Sequence, residues 1–332
     1  MGENVMSILS GLRRRLPSCM AAAALLILFA CTAAAQDYPT RAIRLVVPFP
    51  AGAGPDQVAR MIAQHLRDTM GQPVVVENRT GALGSIGAQE VARSAPDGYT
   101  LLMATNTTHA ANVAMVRRLS YDPVADFAPV GRVITTAMVL LVKPDFPART
   151  VQEFIAYGRS RNGELTAGYG SGAAQMSIAQ LRRFGDVRTV AVSYRGVPQA
   201  AGDVISGNLS LSFADYAIAL AQIQGGLLRG IGVTAATRTE LMPDLPPLAE
   251  AMPGFDVTIW YGLVAPAGTP GSVVTRLAGA TQAWLAMPET RSRLLGIGLN
   301  PAFLPPAEFD PFIRAEVQRW TANAKAAGIE PE

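Results

Sequence analysis

Short β-branched runs alternate with amphipathic segments along most of the chain. The run at residues 43–47 is followed by a segment, residues 57–70, whose apolar side chains recur at helical spacing. These side chains are Val58, Met61, Ile62, Leu66 and Met70. The same order of strand, turn and helix recurs several times, which predicts an α/β protein with mostly parallel sheets.

Turn residues and capping patterns divide the rest of the chain into further elements. Thr150 and Glu153 form a capping box that predicts a helix start, and Thr269 followed by Pro270 predicts another. Strands are predicted at residues 74–76, 99–104, 129–133, 138–142, 189–193, 209–213, 230–234 and 258–264, and helices at 198–206, 216–225 and 308–327.

The length of the chain exceeds what one hydrophobic core usually serves, so two lobes are expected. Lobe 1 is predicted to comprise residues 36–139 together with 260–332, and lobe 2 residues 140–259. A chain that leaves one lobe, builds the second and returns has the topology expected of a hinged binding protein.

The first 35 residues have the pattern of a secretory signal peptide. Arginines at residues 13–15 precede an apolar run at 20–30, and small residues at 33–35 offer a cleavage point. The apolar run is too short for a permanent membrane span. We therefore predict export to the periplasm, with lipid attachment at Cys31 as the alternative.

The composition excludes several functional classes. Both cysteines, Cys19 and Cys31, lie in the predicted leader, so the mature chain has no thiol for a disulfide, a metal site or nucleophilic catalysis. Of the 28 basic and 25 acidic side chains, the leader holds three and one, so the mature chain is nearly neutral. Nucleic acid is therefore not an expected partner, and no metal or cofactor is predicted.

Five stretches of sequence cover much of the mature chain. They are YPTRAIRLVVPFPAGAGPD (38–56), VVVENRTGALGSIGA (74–88), APDGYTLLM (95–103), YDPVADFAPV (121–130) and WYGLVAPAGTP (260–270). Their content and order resemble the tripartite tricarboxylate transporter receptors, also called Bug-type periplasmic solute-binding proteins. The resemblance implies a type II periplasmic binding protein fold, in which two mixed-sheet α/β lobes joined by hinge strands close on an organic acid. It also implies a monomeric receptor that serves the membrane permease subunits of a tripartite tricarboxylate-type transporter.

The loop from Phe49 to Asp56 is the main candidate for carboxylate binding. Backbone N–H groups at a helix start are preorganised donors, and the helix dipole favours negative charge there. Glycines allow close approach of the backbone, and Asp56 is expected to cap the helix. The candidate contacts are Phe49, Pro50, Ala51, Gly52, Ala53, Gly54 and Asp56. The same residues also fit an ordinary strand-to-helix turn.

Hydroxyl groups follow the third predicted strand. Thr105, Thr107 and Thr108 lie at the carboxyl end of that strand, where open α/β sheets place ligands. These threonines could hold the second oxygen of the same carboxylate, and they also fit helix caps.

Lobe 2 contributes a second glycine-rich helix start. The candidates there are Gly170, Ser171, Gly172, Ala174, Arg195 and Asp215. Arg195 fits a partner for a second ligand carboxylate or an exposed cation. Asp215 fits an acceptor for a ligand ammonium or hydroxyl, or the N-cap of a helix that begins at Tyr216.

Other functional classes fit only parts of the sequence. Gly52 and Gly54 after a strand imitate a dinucleotide fingerprint of an NAD-dependent dehydrogenase, but Gln57 stands where the third glycine is needed. No G-x-S-x-G elbow supports a hydrolase. A periplasmic protein that senses a ligand and signals to a membrane sensor is the alternative to transport. We expect a receptor with no catalytic residue.

Overall fold

The structure is a computed structural model that describes residues 38–331. The predicted leader and its cleavage point lie outside the described residues. From Arg41 onward the chain forms one compact unit. Within residues 38–331, every helix is too short or too polar to span a bilayer.

Strands and helices alternate as the sequence predicts. The strands are β1 (Ile43–Val47), β2 (Val74–Asn78), β3 (Thr100–Thr105), β4 (Phe127–Val142), β5 (Leu165–Tyr169), β6 (Thr189–Ser193), β7 (Leu211–Asp215), β8 (Arg229–Val233), β9 (Thr258–Pro266) and β10 (Asn300–Leu304). The α-helices are α1 (Gly54–Met70), α2 (Ser85–Ala92), α3 (Asn112–Met115), α4 (Val151–Ser160), α5 (Gly172–Gly185), α6 (Val197–Ser206), α7 (Tyr216–Gln224), α8 (Gly271–Ala286), α9 (Pro288–Gly296) and α10 (Pro306–Ala326). A π-helical turn at Thr107–Ala111 precedes α3.

Two mixed sheets define two lobes. In lobe 1 the strand order is β2-β1-β3-β9-β4, and β10 also pairs with β4. In lobe 2 the order is β4-β7-β5-β6, and β8 also pairs with β4. The β1, β2 and β3 pairings are parallel, as are those of β5 with β6 and β7, whereas β4 and β9 run antiparallel to their neighbours. The predicted α/β class is confirmed.

Strand β4 belongs to both sheets. Its pairing with β9 ends at Ala137, and its pairing with β7 begins at Met138. The Thr234 hydroxyl accepts the Met138 N–H at 2.9 Å and donates to the Val257 carbonyl at 2.8 Å, which ties three segments together at this point. The prediction of two separate strands here was wrong, because β-branched residues between the two runs continue the extended backbone.

Helix α1 begins earlier than the apolar pattern indicates. Its first residue is Gly54 rather than Gln57, and Ala53 is the N-cap. Pro55 is tolerated in the first turn of the helix, because residues there donate no intrahelical hydrogen bond and the N–H that proline lacks is not needed. The expected capping role of Asp56 was therefore wrong, because Asp56 already lies inside the helix.

The other predicted helix starts had mixed outcomes. The capping box is confirmed, since the Thr150 hydroxyl accepts the Glu153 N–H at 3.1 Å. Helix α8 begins at Gly271 with Pro270 as N-cap, one residue later than predicted. The Thr269 hydroxyl instead donates to the Pro266 carbonyl at 2.7 Å. Strand β10 was not predicted, because a proline interrupts its short apolar run.

The lobe 1 core orients strand β9 toward the second lobe. Trp260 is 1% exposed, packs edge-on against Phe309 of α10, and donates its indole N–H to Glu316 at 2.9 Å. Successive side chains of a strand point to opposite faces. Tyr261, the next residue, therefore points away from this core and toward the space between the lobes.

Candidate functional site

A cavity of about 30 Å³ lies between the two lobes. Lobe 1 lines it with Phe49, Ala53, Pro55, Thr105, Asn106, Thr107, Ile259 and Tyr261. Lobe 2 lines it with Met138, Ser171, Ala173, Val197 and Asp215. This volume holds about two water-sized groups, so the two lobes are closed against each other.

The structure brings together only part of the predicted site. Six predicted residues line the cavity, and they are Phe49, Ala53, Thr105, Thr107, Ser171 and Asp215. Ten predicted residues do not line it, and they are Pro50, Ala51, Gly52, Gly54, Asp56, Thr108, Gly170, Gly172, Ala174 and Arg195. Sequence reasoning missed Pro55, Asn106, Met138, Ala173, Val197, Ile259 and Tyr261.

Two amides of the loop before α1 are directed back into the loop. Gly52 has a φ of 82°, and this turn directs its N–H to the Asp56 carboxylate at 2.9 Å. The Ala53 N–H donates to the Pro50 carbonyl at 3.2 Å. Ala51 and Gly52 are both exposed. The expectation that the whole loop presents amides to a ligand was therefore wrong for Gly52 and Ala53.

Asp56 stabilises this loop from within. Its carboxylate also accepts from Arg60 at 2.9 Å and from the Asn78 amide at 2.9 Å. Burial pushes the pKa of Asp56 up, but the hydrogen bonds from Arg60, Gly52 and Asn78 outweigh burial and hold that pKa below its ordinary value. With its oxygens engaged in this way, Asp56 acts as a structural carboxylate.

Pro50 contributes to closure rather than to the cavity wall. A methyl group at Gly196 of lobe 2 would lie 2.5 Å from the Pro50 Cγ atom, so the two residues touch with no space between them. Gly196 is the N-cap residue of α6. This contact joins the loop of one lobe to a helix start of the other.

The loop at residues 105–108 uses the Thr108 hydroxyl within its own turn and the Thr107 hydroxyl at the contact with lobe 2. The Thr108 hydroxyl accepts the Thr105 N–H at 3.1 Å and lies 3.0 Å from Nδ1 of His109. Thr108 is fully buried and engaged within the loop, so the structure gives it a structural role, and its contact with a ligand stays a prediction. The Thr107 hydroxyl faces lobe 2, where it accepts the Gly172 N–H at 3.1 Å. Burial lowers the pKa of His109 to about 3.

Asn106 lies between these threonines and lines the cavity. It is 1% exposed, and its amide nitrogen has no hydrogen-bond partner. A buried donor that is left unpaired costs about 1–3 kcal/mol. Asn106 is therefore a preformed donor for an acceptor in the cavity. The sequence showed its neighbours as candidates, but only the structure shows that this nitrogen is unpaired.

The glycine-rich turn before α5 is a self-capped helix start. The Ser171 hydroxyl accepts the Ala174 N–H at 3.2 Å, so the amide of Ala174 is engaged within the turn. Gly170 packs directly against the backbone of Gly196, where a side chain would not fit. Arg195 is exposed and away from the cavity. The structure thus places Gly170, Ala174 and Arg195 outside the cavity wall, and it favours the expected alternative of an exposed cation for Arg195.

Asp215 occupies the centre of the contact between the lobes. It is 4% exposed, and it caps α7 by accepting the Ile218 N–H at 3.1 Å. Gly54 and Tyr261 of lobe 1 lie against it, since a methyl group on Gly54 would be 2.9 Å from Oδ2 of Asp215 and 2.7 Å from the Tyr261 hydroxyl. Burial raises the pKa of the Asp215 carboxyl, and neighbouring donors oppose that rise. Burial, followed by the nearby Asp215 charge, raises the pKa of Tyr261 well above its ordinary value.

The chemistry of the cavity is that of a binding site with dipolar donors. Among the residues that the structure describes, no Lys, Arg or His side chain lines it. Within residues 38–331, no group of three or more His, Cys, Asp or Glu side chains is arranged to hold a metal ion. The cavity wall includes the first turns of α1, α5 and α6, whose dipoles favour an anion.

Comparison with known proteins identifies the family of this chain. The model of the "Tripartite tricarboxylate transporter family receptor" matches residues 58–329. The protein BugT of Bordetella pertussis is 30% identical over 302 residues, which cover 89% of this chain and 92% of BugT.

Solved structures agree with this match. The structure of R. palustris Rpa4515 with adipate has a TM-score of 0.87 and 34% identity, covering 89% of this chain and 100% of that one. MatC from Rhodopseudomonas palustris with bound malate has a TM-score of 0.81 and 32% identity, covering 86% and 99%. The fold is thus the two-lobed fold of periplasmic binding proteins, and the chain belongs to the tripartite tricarboxylate transporter receptors, the Bug-type periplasmic solute-binding proteins.

Proposed function

We propose that this receptor captures a small carboxylate-containing solute in the cleft between its lobes and delivers it to the membrane subunits of a tripartite tricarboxylate-type transporter. The binding is non-enzymatic and needs no cofactor. The receptor acts in the periplasm as a monomer after removal of residues 1–35. We also propose that the lobes divide where β4 changes sheet, between Ala137 and Met138, and again before β9 begins at Thr258, each within two residues of the predicted boundaries at 139/140 and 259/260.

The unpaired amide nitrogen of Asn106 carries the proposal. A carboxylate oxygen would satisfy this buried donor, and the starts of α1, α5 and α6 would favour the negative charge. The relatives with adipate and malate support the same ligand class, since each of those ligands is a small organic acid. The apolar side chains of Phe49, Met138 and Ile259 would pack against the carbon chain.

Isothermal titration calorimetry with mono-, di- and tricarboxylates and amino acids tests the ligand class. We expect at least one acid to bind, and failure of every acid would refute the proposal. Asn106→Asp changes the donor into an acceptor of the same size, which should weaken the binding of that acid by about 100-fold.

Asn162→Asp is the matched control for this substitution. Asn162 is exposed and has a φ of 44°, a conformation that Asn and Asp both tolerate. It makes the same change of charge far from the cavity and should leave the affinity unchanged. Equal affinities of the Asn106→Asp variant and the wild-type protein would remove Asn106 from the site.

A further inference from the structure

The Asp215 carboxylate is enclosed between the two lobes. Within lobe 2 it accepts the Ile218 N–H at 3.1 Å. From lobe 1, Gly54 and the Tyr261 hydroxyl lie against it, since a methyl group on Gly54 would be 2.9 Å from Oδ2 of Asp215 and 2.7 Å from the Tyr261 hydroxyl. Asp215 is 4% exposed, so it is covered by lobe 1 while the lobes are arranged in this way.

The lobe 1 donors of Asp215 stand where an incoming carboxylate would bind. Gly54 is the first residue of α1, at the positive end of the helix dipole. Gly52 and Ala53 direct their N–H groups back into the loop, and Gly54 is the residue of this turn that lies against Asp215 of lobe 2. The start of α1 already has a carboxylate beside it, and the carboxylate comes from the protein itself.

The geometry leaves no room for both carboxylates at this position. The cavity next to Asp215 has room for about two water-sized groups. A methyl group on Gly54 would already lie 2.9 Å from Oδ2 of Asp215 and 2.7 Å from the Tyr261 hydroxyl. Two carboxylates at one site would also repel each other. A ligand carboxylate and Asp215 must therefore compete for Gly54 and Tyr261.

We propose that Asp215 is an intramolecular ligand of the α1 start, which clasps the two lobes in this closed conformation, and that a bound acid replaces it at Gly54 and Tyr261. The clasp is independent of the identity of the solute. Only the replacement step rests on the proposed function. When it is displaced, Asp215 keeps the Ile218 N–H and continues to cap α7.

The distance between the lobes tests the clasp without any ligand. Val75 on β2 and Val190 on β6 are 47% and 55% exposed, and their strands lie at the two ends of the strand order. Cysteines at these positions carry a spin label or a fluorophore pair on the mature protein. We expect Asp215→Asn to raise the population of molecules with open lobes about tenfold. The Asn side chain keeps one acceptor oxygen, and its NH₂ group would face donors that a carboxylate can accept.

Two further variants separate the clasp from a loss of folding. Tyr261→Phe removes a lobe 1 donor without affecting the cap of α7, and it should also favour the open form. Asp186→Asn removes one carboxylate from an exposed position of lobe 2 with a φ of 51°, and it should match the wild-type protein. A distance distribution of folded Asp215→Asn and Tyr261→Phe proteins identical to that of the wild type would overturn the clasp.

Calorimetry with adipate and with malate tests the replacement. We expect an acid that binds the wild-type protein to bind the Asp215→Asn variant about fivefold more tightly, because the internal competitor has been weakened. Weaker binding by this variant would show that Asp215 contacts the ligand directly, and it would overturn the replacement. If no acid binds the wild-type protein, the proposed ligand class fails, and the distance measurement alone decides for or against the clasp.

Discussion

The starts of α1 and α5 border the same cavity and follow similar glycine-rich turns, yet they are completed differently. Helix α5 has its own cap, since Ser171 accepts the Ala174 N–H, and the neutral Thr107 hydroxyl of the opposite lobe takes the Gly172 N–H. Helix α1 has no side-chain cap, and Gly54 at its start lies against the Asp215 carboxylate of the opposite lobe.

This difference shows how two similar turns acquire different tasks. A hydrogen bond to a charged group contributes about 1.5–3 kcal/mol, whereas a neutral one contributes about 0.5–1.5 kcal/mol. The start of α1 is therefore the position where an anion gains most, and the start of α5 is already largely satisfied. A ligand carboxylate is expected at α1, with α5 in support.

Adding a methyl group at the start of α1 should have the largest effect on binding. In Gly54→Ala the new Cβ atom would lie within 3 Å of both Tyr261 and Asp215, which overpacks the closed cleft. We expect calorimetry to show roughly 50-fold weaker binding of an acid ligand. Gly202→Ala on α6 is the control, because nothing lies within 4 Å of its new methyl group. Equal losses in the two variants would contradict the special role of α1.

Lowering the pH should destabilise the folded protein through His109. This buried residue belongs to the loop that supplies Thr107 to the start of α5. The pKa of His109 is about 3 in the folded protein and about 6.5 when the chain unfolds. The unfolded state therefore binds the extra proton as the pH falls below about 6.5, and stability is lost progressively from there toward pH 3. At pH 5 the loss from this residue is about 2 kcal/mol.

Urea unfolding of the wild-type and His109→Gln proteins between pH 7 and pH 4 measures this loss. The other titrating groups are shared, so their contribution cancels in the difference between the two curves. The variant should have the flatter dependence of stability on pH. Parallel curves would show that His109 is protonated in the folded protein.

Removing the cap of α5 should have the smallest effect of the three. Ser171→Ala deletes the acceptor for the Ala174 N–H, which should lower the free energy of unfolding by about 1 kcal/mol. Thermal unfolding compares this variant with Ser160→Ala, an exposed serine at the end of α4. A larger loss of ligand affinity than of stability would mean that Ser171 is a ligand contact, and that the two helix starts are more alike than their caps indicate.

The order of the elements and the fold class were predictable from the sequence, because they depend on local periodicity and turn residues. The family resemblance placed the site at two helix starts, and residues of both turns line the cavity. The first turn of α1 was misplaced because the pattern of apolar residues begins only at Val58, whereas Pro55 and Asp56 are already helical.

The partners of individual groups in the site could not be predicted. Each of Asn106, Tyr261 and Asp215 depends on segments that are distant in the sequence and meet only in the folded chain. Asp215 was recognisable as an N-cap from the residues around it, whereas its contact with Gly54 spans both lobes. Arg195 shows the opposite case, in which a charge of suitable type is simply exposed.

The sharing of β4 between the two sheets has a mechanical consequence. One continuous strand of 16 residues pairs with the lobe 1 sheet up to Ala137 and with the lobe 2 sheet from Met138. The Thr234 hydroxyl links this point to the Val257 carbonyl, next to the second connection between the lobes. We therefore expect a rotation of one lobe against the other to bend the backbone at these two neighbouring connections, while the ladders within each sheet stay intact.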